Sequence, residues 1–308
     1  GTGDWSSDVC SSDLKREAAM ATKTILVPMS GLASTPAPLD AALTVGKRLS
    51  AHVEALHVSI DPRDSVAYVG EGMTSAMIED VMASAEQEAN ERLARARQRF
   101  EAACEANAVA RSDGSGQSDD ASASFTEVVG REEDYVASKG RLADLIVAGR
   151  SESDEDVSLS ATLETALMDT GRPVLVVPPG ESADHLGTAI AIAWNGSVEA
   201  ARAVSAAMHF LCEAEKVIVL EVEEAGKHGP SAADVVSYLA QHKVSASSRD
   251  IRASAGSVAE NLLTAVREEN ADLLVMGAYT RSRLRRLIFG GVTGDILDNA
   301  PVPVLLAH

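Results

Sequence analysis

The sequence predicts an α/β chain made of two copies of a doubly wound parallel-sheet unit, and three observations carry that prediction. Short apolar runs of strand length alternate with longer segments of helical periodicity from about residue 25 onward. ADLIVAG at 143–149 agrees with ADLLVMG at 271–277 in five of seven positions, PVLVV at 173–177 matches PVLLA at 303–307, and the matches fall in the same order in both halves. The stretch 271–297 joins an apolar run, a glycine, a polar loop and a helical pattern, the strand–loop–helix unit of such sheets.

Taken in order, a strand over 25–29 ends at Ser30-Gly31, a helix over 37–49 turns Leu39, Ala42, Leu43 and Leu49 inward, and a second strand covers 53–60. Residues 73–109 carry one apolar stripe through Met77, Val81, Ala85, Ala89, Leu93, Phe100 and Cys104, which predicts a long amphipathic helix. RSDGSGQSDDASAS at 111–124 has the composition of a surface loop, and a strand resumes over 125–129. A helix over 132–142 leads into the strand that ends at Gly149.

In the second copy the strands are expected at 190–194, 217–222, 248–253, 272–277 and 303–307. Helices are expected at 198–211, 232–242 and from the cap Ser257 to 270, and the recurrence of Leu284, Leu287, Ile288, Val292, Ile296 and Leu297 predicts the last one. Gly31 and Gly196 are 165 apart but Gly149 and Gly277 only 128, so the first copy is 37 residues longer between these points, which the long helix and serine-rich loop explain. Each copy reads β-α-β-α-β-α-β-α-β, resolved as a parallel sheet with right-handed crossovers and helices on both faces. PPGESADHLG, 178–187, marks the boundary between expected domains at 20–180 and 187–308.

Residues 1–19 are set aside as artefact or disordered tail. DWSSDVCSSDL, 4–14, has no structural periodicity and reads as the translation of a sequencing adapter joined to the frame, with the natural start expected at Met20. The formal charge of −19 argues against nucleic acid or an anionic membrane as a general partner. No apolar run reaches the ~20 residues of a membrane span, and a cytoplasmic protein is expected. Cys10, Cys104 and Cys212 are too scattered for a disulfide framework or a zinc site.

Gly277, Thr280, Gly290 and Gly291 follow the strand at 272–277 with two residues between the first pair and nine between the second. In this stretch the chain resembles the universal stress protein family, whose nucleotide binders carry Gly, two residues, Gly, nine residues, Gly, then Ser or Thr. Gly277 and Gly290 keep the outer spacing, whereas Thr280 stands at the middle glycine and Gly291 at the hydroxyl residue. The resemblance implies two doubly wound five-stranded parallel sheets of Rossmann-like type in order 3-2-1-4-5, and a pseudo-dimer of the two domains through their last strands. It also implies a stress-response factor with ATP or AMP as ligand and no metal beyond the Mg that accompanies ATP.

In that strand order the loops after strands one and four diverge and open a crevice. Its walls in the second copy are Trp194-Asn195-Gly196-Ser197 and the segment from Gly277 to Arg286, with a nucleotide expected between Asn195-Gly196 and the Gly277 to Gly291 loop. Asn195 stands where the family's nucleotide binders usually place an aspartate. Arg281, Arg283, Arg285 and Arg286 gather there in an acidic chain, and with a helix N-terminus they favour phosphate. The plainer readings are a turn at Asn195-Gly196 and a solvated arginine face.

The corresponding loop of the first copy holds Glu152, Asp154, Glu155 and Asp156, which oppose a triphosphate, so that copy is expected to bind no nucleotide. No P-loop, G-x-S-x-G elbow, H-E-x-x-H or paired-cysteine site occurs. His52 and His57, five apart on one strand, point to opposite faces, and His209 and His242 read as structural. Three functions remain open: a weak adenine-nucleotide binder, a protein-interaction module without small ligand, and a slow ATPase, which lacks an evident general base.

Overall fold

The computed structural model describes residues 22–30, 37–61, 74–114, 120–150, 157–180, 185–222, 229–251, 256–278 and 291–308. The first half runs β1 (Thr24–Pro28), α1 (Ala37–Leu49), β2 (His52–Ser59), α2 (Ser75–Ala106), β3 (Ala110–Arg111), β4 (Ser122–Val129), α3 (Glu132–Gly140), β5 (Leu145–Gly149), α4 (Val157–Asp169) and β6 (Val174–Val177). The second runs β7 (Ala189–Trp194), α5 (Val198–Ala206), α6 (Met208–Glu213), β8 (Lys216–Val222), α7 (Ala232–Gln241), β9 (Ala246–Ile251), α8 (Val258–Glu268), β10 (Leu273–Gly277), α9 (Val292–Asn299) and β11 (Val304–Ala307).

The eleven strands among the described residues lie in one sheet of order β3-β4-β2-β1-β5-β6-β11-β10-β7-β8-β9. Leaving out the two-residue β3, each half shows the expected 3-2-1-4-5 order, and every pair within a half is parallel. The two five-stranded sheets have two additions. β6 and β11 pair antiparallel, with Leu175 opposite Leu305, so the two sheets are one. β3 adds a short strand on the outer edge of β4. Each half's last strand is apolar on both faces, with all four residues buried, and such an edge must be covered or paired.

The two faces of the sheet carry separate cores. On one, Leu43 of α1, Phe100 of α2, Val204 of α5, Phe210 of α6 and Leu239 of α7 pack on Ile25, Val147, Leu175, Ile192, Val275 and Leu305. On the other, Val136 of α3, Leu167 of α4, Leu262 of α8 and Ile296 of α9 pack on Ile146, Val176, Leu274 and Leu306. Strands buried on both sides are continuous apolar runs for that reason, as β5, β6, β10 and β11 are.

Local chemistry sets several ends. Ser257 Oγ accepts from Glu260 N at 3.1 Å while the Glu260 carboxylate accepts from Ser257 N at 2.8 Å, a capping box that starts α8 where the sequence places it. Ser231 and Asp234 do the same for α7. The helix expected over 198–211 divides at Ala207 into α5 and α6, yet Ala207 N still donates to Ala203 O and Leu211 N to Ala207 O, so backbone hydrogen bonds carry across the break.

In α2 only Ala96, Phe100 and Cys104 are buried, and Met77 is 50% exposed although the stripe predicts it inward. Thirty-two residues of helix measure about 48 Å, whereas the eight-residue β2 beneath it spans about 26 Å, so the N-terminal turns overhang the sheet. Among the described residues no helix is long and apolar enough to cross a membrane. Cys104 is buried and Cys212 exposed, both free.

Candidate functional site

The chain leaves β7 for α5 on one face and β10 for α9 on the other, while β7 and β10 are neighbours. That divergence at the carboxyl ends of adjacent strands is a topological switch point, where open α/β sheets receive ligands. The same relation holds between β1 and β5 in the first half.

On the β7 side, Asn195 Oδ1 accepts from Ser197 N at 3.1 Å, Ser197 Oγ accepts from Ala200 N at 3.1 Å to cap α5, and Gly196 has φ +78°. Asn195-Gly196 is therefore a turn that aims α5, with glycine required by the left-handed backbone. The segment after β8 leans on it. Trp194 Nε1 donates to Pro230 O at 2.9 Å, and a Cβ on Gly229 would lie 2.5 Å from Gly196 O. Gly229 and Pro230 thus stand against the Trp194-to-Ser197 wall, an addition that the sequence reading did not include, although the Gly-Pro pair before a serine cap was its visible signal.

On the β10 side, Gly277 lies under the first turn of α5. A Cβ there would stand 2.5 Å from Ala200 N and 2.6 Å from the Glu199 carbonyl carbon, so the missing side chain makes room for helix backbone. This gives Gly277 a packing role that the phosphate reading did not foresee. Ala278 N donates to Ala307 O at 2.8 Å, which carries the pairing with β11 past the end of β10.

Gly291 is the N-cap of α9 with φ +102°, a conformation that glycine tolerates, and nothing stands within 4 Å of where its Cβ would be. α9 starts at Val292. The structure brings Asn195, Gly196 and Gly277 to one switch point. Thr280, Arg281, Arg283, Arg285, Arg286 and Gly290 lie outside the described residues, as do Glu152, Asp154, Glu155 and Asp156 of the first half.

The histidines have structural surroundings. His52 Nδ1 and Nε2 each lie 2.9 Å from a serine hydroxyl, Ser122 and Ser124, and His57 Nδ1 is 2.7 Å from Met29 O. Among the described residues no group of three or more His, Cys, Asp or Glu is placed to hold a metal ion.

Fold and crevice together define a tandem, doubly wound α/β protein of Rossmann-like type. Residues 188–308 match the model of the universal stress protein family. A universal stress protein from Archaeoglobus fulgidus DSM 4304 has the same fold over the length of both chains: 94% of this one and 97% of that one are covered at 16% identity, with a TM-score of 0.66. A functionally unknown protein from Pseudomonas aeruginosa PAO1 covers 94% of each chain at 14% identity and a TM-score of 0.54. A universal stress protein in complex with cAMP covers 51% of this chain and 97% of its own at 19% identity, with a TM-score of 0.33, a likeness too slight to bear on ligands here. No curated protein matches the sequence.

Proposed function

We propose that the chain is a stress-response factor that binds an adenine nucleotide weakly through its second half, residues 187–308, with residues 20–180 as a non-binding partner half. The observation that supports this reading is the switch point between β7 and β10. It is walled by Asn195-Gly196 and Gly277, and α9 begins behind Gly291 with its first N–H groups unpaired by the helix itself. Arg281 and Arg283 would supply the positive charge, and the departures at Thr280 and Gly291 from the family's glycine motif account for weak affinity. ATP or AMP is the ligand class, with Mg only as the companion of ATP.

A second reading is favoured by what the glycines do without ligand. Gly277 is explained by helix packing and Gly291 by its φ, so neither needs a phosphate nearby. On this reading the chain is a protein-interaction module of the stress response. A slow ATPase has less in its favour, since no general base is apparent at the switch point among the described residues.

Calorimetric titration with ATP and AMP, with and without Mg, separates the readings. The nucleotide reading expects saturable heat below about millimolar ligand, lost or sharply reduced in Arg281→Ala/Arg283→Ala. No heat in the parent at that concentration, or heat indifferent to the double variant, rejects this site in favour of the interaction module.

A further inference from the structure

The halves meet about a pseudo-twofold relation between β6 and β11, and one pair of counterpart residues that meets across the junction differs in charge. Leu175 and Leu305 face each other in β6 and β11, and each holds third place in its repeat, PVLVV or PVLLA. Arg48 and Glu213 also occupy one repeat position, 165 residues apart, the same interval that separates Thr24 at the start of β1 from Ala189 at the start of β7. In a symmetric contact a residue near the axis meets its own counterpart. Here the counterparts carry opposite charge and pair directly, Arg48 Nε donating to the Glu213 carboxylate.

The arginine is further engaged with the second half and the segment that leads into it. Arg48 Nη1 donates to Leu186 O at 2.8 Å, and its guanidinium lies 5.7 Å from the centre of the Phe210 ring. Off the axis, Arg150 Nη1 donates to Leu297 O at 3.1 Å and Ala300 O at 2.8 Å, where a cation meets the negative end of α9. The counterpart of Arg150, 128 residues on, is Ala278, whose side chain cannot reciprocate. Among the described residues both bridging cations come from the first half, and their acceptors lie in the second half or in the segment that enters it.

We propose that this junction is a charge-coded docking surface that accepts only the opposite half, so that a second copy of the chain can engage it only by exchanging halves. Two second halves would set Glu213 against Glu213 and leave the end of α9 without its cation; two first halves would set Arg48 against Arg48. Like charges at one place repel, and neither arrangement has the other half's donors or acceptors to compensate.

Charge reversal in the full-length chain imitates both forbidden pairings. Arg48→Glu gives the axis the two acids of paired second halves, and Glu213→Arg the two bases of paired first halves. Urea unfolding is expected to show the folding equilibrium constant reduced about tenfold in each single variant and returned to within about threefold of the parent in Arg48→Glu/Glu213→Arg. Single variants as stable as the parent, or a double variant as weak as the product of the two losses, overturn the proposal. Where a single variant does not fold, the double one decides: cooperative unfolding of the double variant supports the code, and its failure to fold overturns it.

Discussion

Asp144 and Asp272 hold the same place in the two halves, and each carboxylate gathers the backbone at the start of its neighbouring first strand. Asp272 accepts from Gly187 N, Thr188 N and Ala189 N at 2.8, 3.0 and 2.9 Å. Asp144 accepts from Lys23 N, Thr24 N and Thr24 Oγ1 at 2.8, 3.0 and 3.0 Å. The acid before each repeated apolar run thus fastens strand four to strand one at the end of the sheet opposite the crevice. Burial raises the Asp272 carboxyl above its ordinary range, against the pull of its three N–H donors.

Removing that acceptor leaves three half-buried donors unmet. Asp272→Ala is expected to cost about 2–3 kcal/mol, and Asp272→Asn, which keeps one acceptor oxygen, less. Urea unfolding measures both, and a loss under about 0.5 kcal/mol for the alanine variant would show that water replaces the carboxylate without penalty.

Stability should depend on pH through His209. Its Nε2 is buried with no partner among the described residues, and burial, aided by the nearby Arg48 cation, pushes its pKa down from 6.5 to about 4, with Glu213 acting the other way. An unfolded histidine keeps a value near 6.5. Between these two values the unfolded chain takes up a proton that the folded one refuses, so stability falls as pH drops through the window and is unaffected above it. The parent should lose about 2 kcal/mol more than His209→Phe between about pH 7.5 and about 4.5, the variant keeping a ring against Phe210. Parallel pH profiles for the two proteins would remove His209 as the cause.

The two described glycines that bound the crevice on the β10 side should fail for different reasons. Gly277→Ala drives a methyl into the backbone of α5 and should cost about 1–3 kcal/mol by overpacking. Gly291→Ala meets open space, so its cost, also about 1–3 kcal/mol, is that of forcing alanine to φ +102°. Thermal melts without ligand should show both losses. A neutral Gly277→Ala would mean that α5 can move away, and the tight approach would then have no structural purpose.

The repeat made much of this fold readable. ADLIVAG against ADLLVMG and PVLVV against PVLLA identify the two inner strands of each half, and period-2 and period-3.6 patterns locate the rest. What escaped depends on three-dimensional fit. Periodicity cannot show that Ala207 interrupts a helix whose hydrogen bonds carry across it, nor that α2 is longer than the strand it covers. A glycine spacing likewise cannot tell a phosphate approach from the close approach of a helix, which is what Gly277 accommodates. The charge code at the junction was present in the sequence as Arg48 and Glu213, 165 residues apart, but only the antiparallel pairing of β6 with β11 brings the halves together so that it has meaning.

That pairing should make the chain unfold as one unit. Leu175 and Leu305 are both fully buried and lie in a core that takes residues from the two halves, Phe100 and Leu43 from one and Phe210 and Val275 from the other. Leu305→Ala should therefore cost about 2–5 kcal/mol. Leu305→Glu, which buries a carboxylate in that apolar core, should cost at least about 4 kcal/mol or abolish folding. Val176→Glu should behave alike, since Val176 pairs with Val304 and is buried on the other face. The parent should show a single unfolding transition by fluorescence of Trp194 in the second half and by circular dichroism of the whole chain. Two transitions in the parent, with Leu305→Glu shifting only one of them, would mean that each half is stable alone and that the strand junction adds little to either.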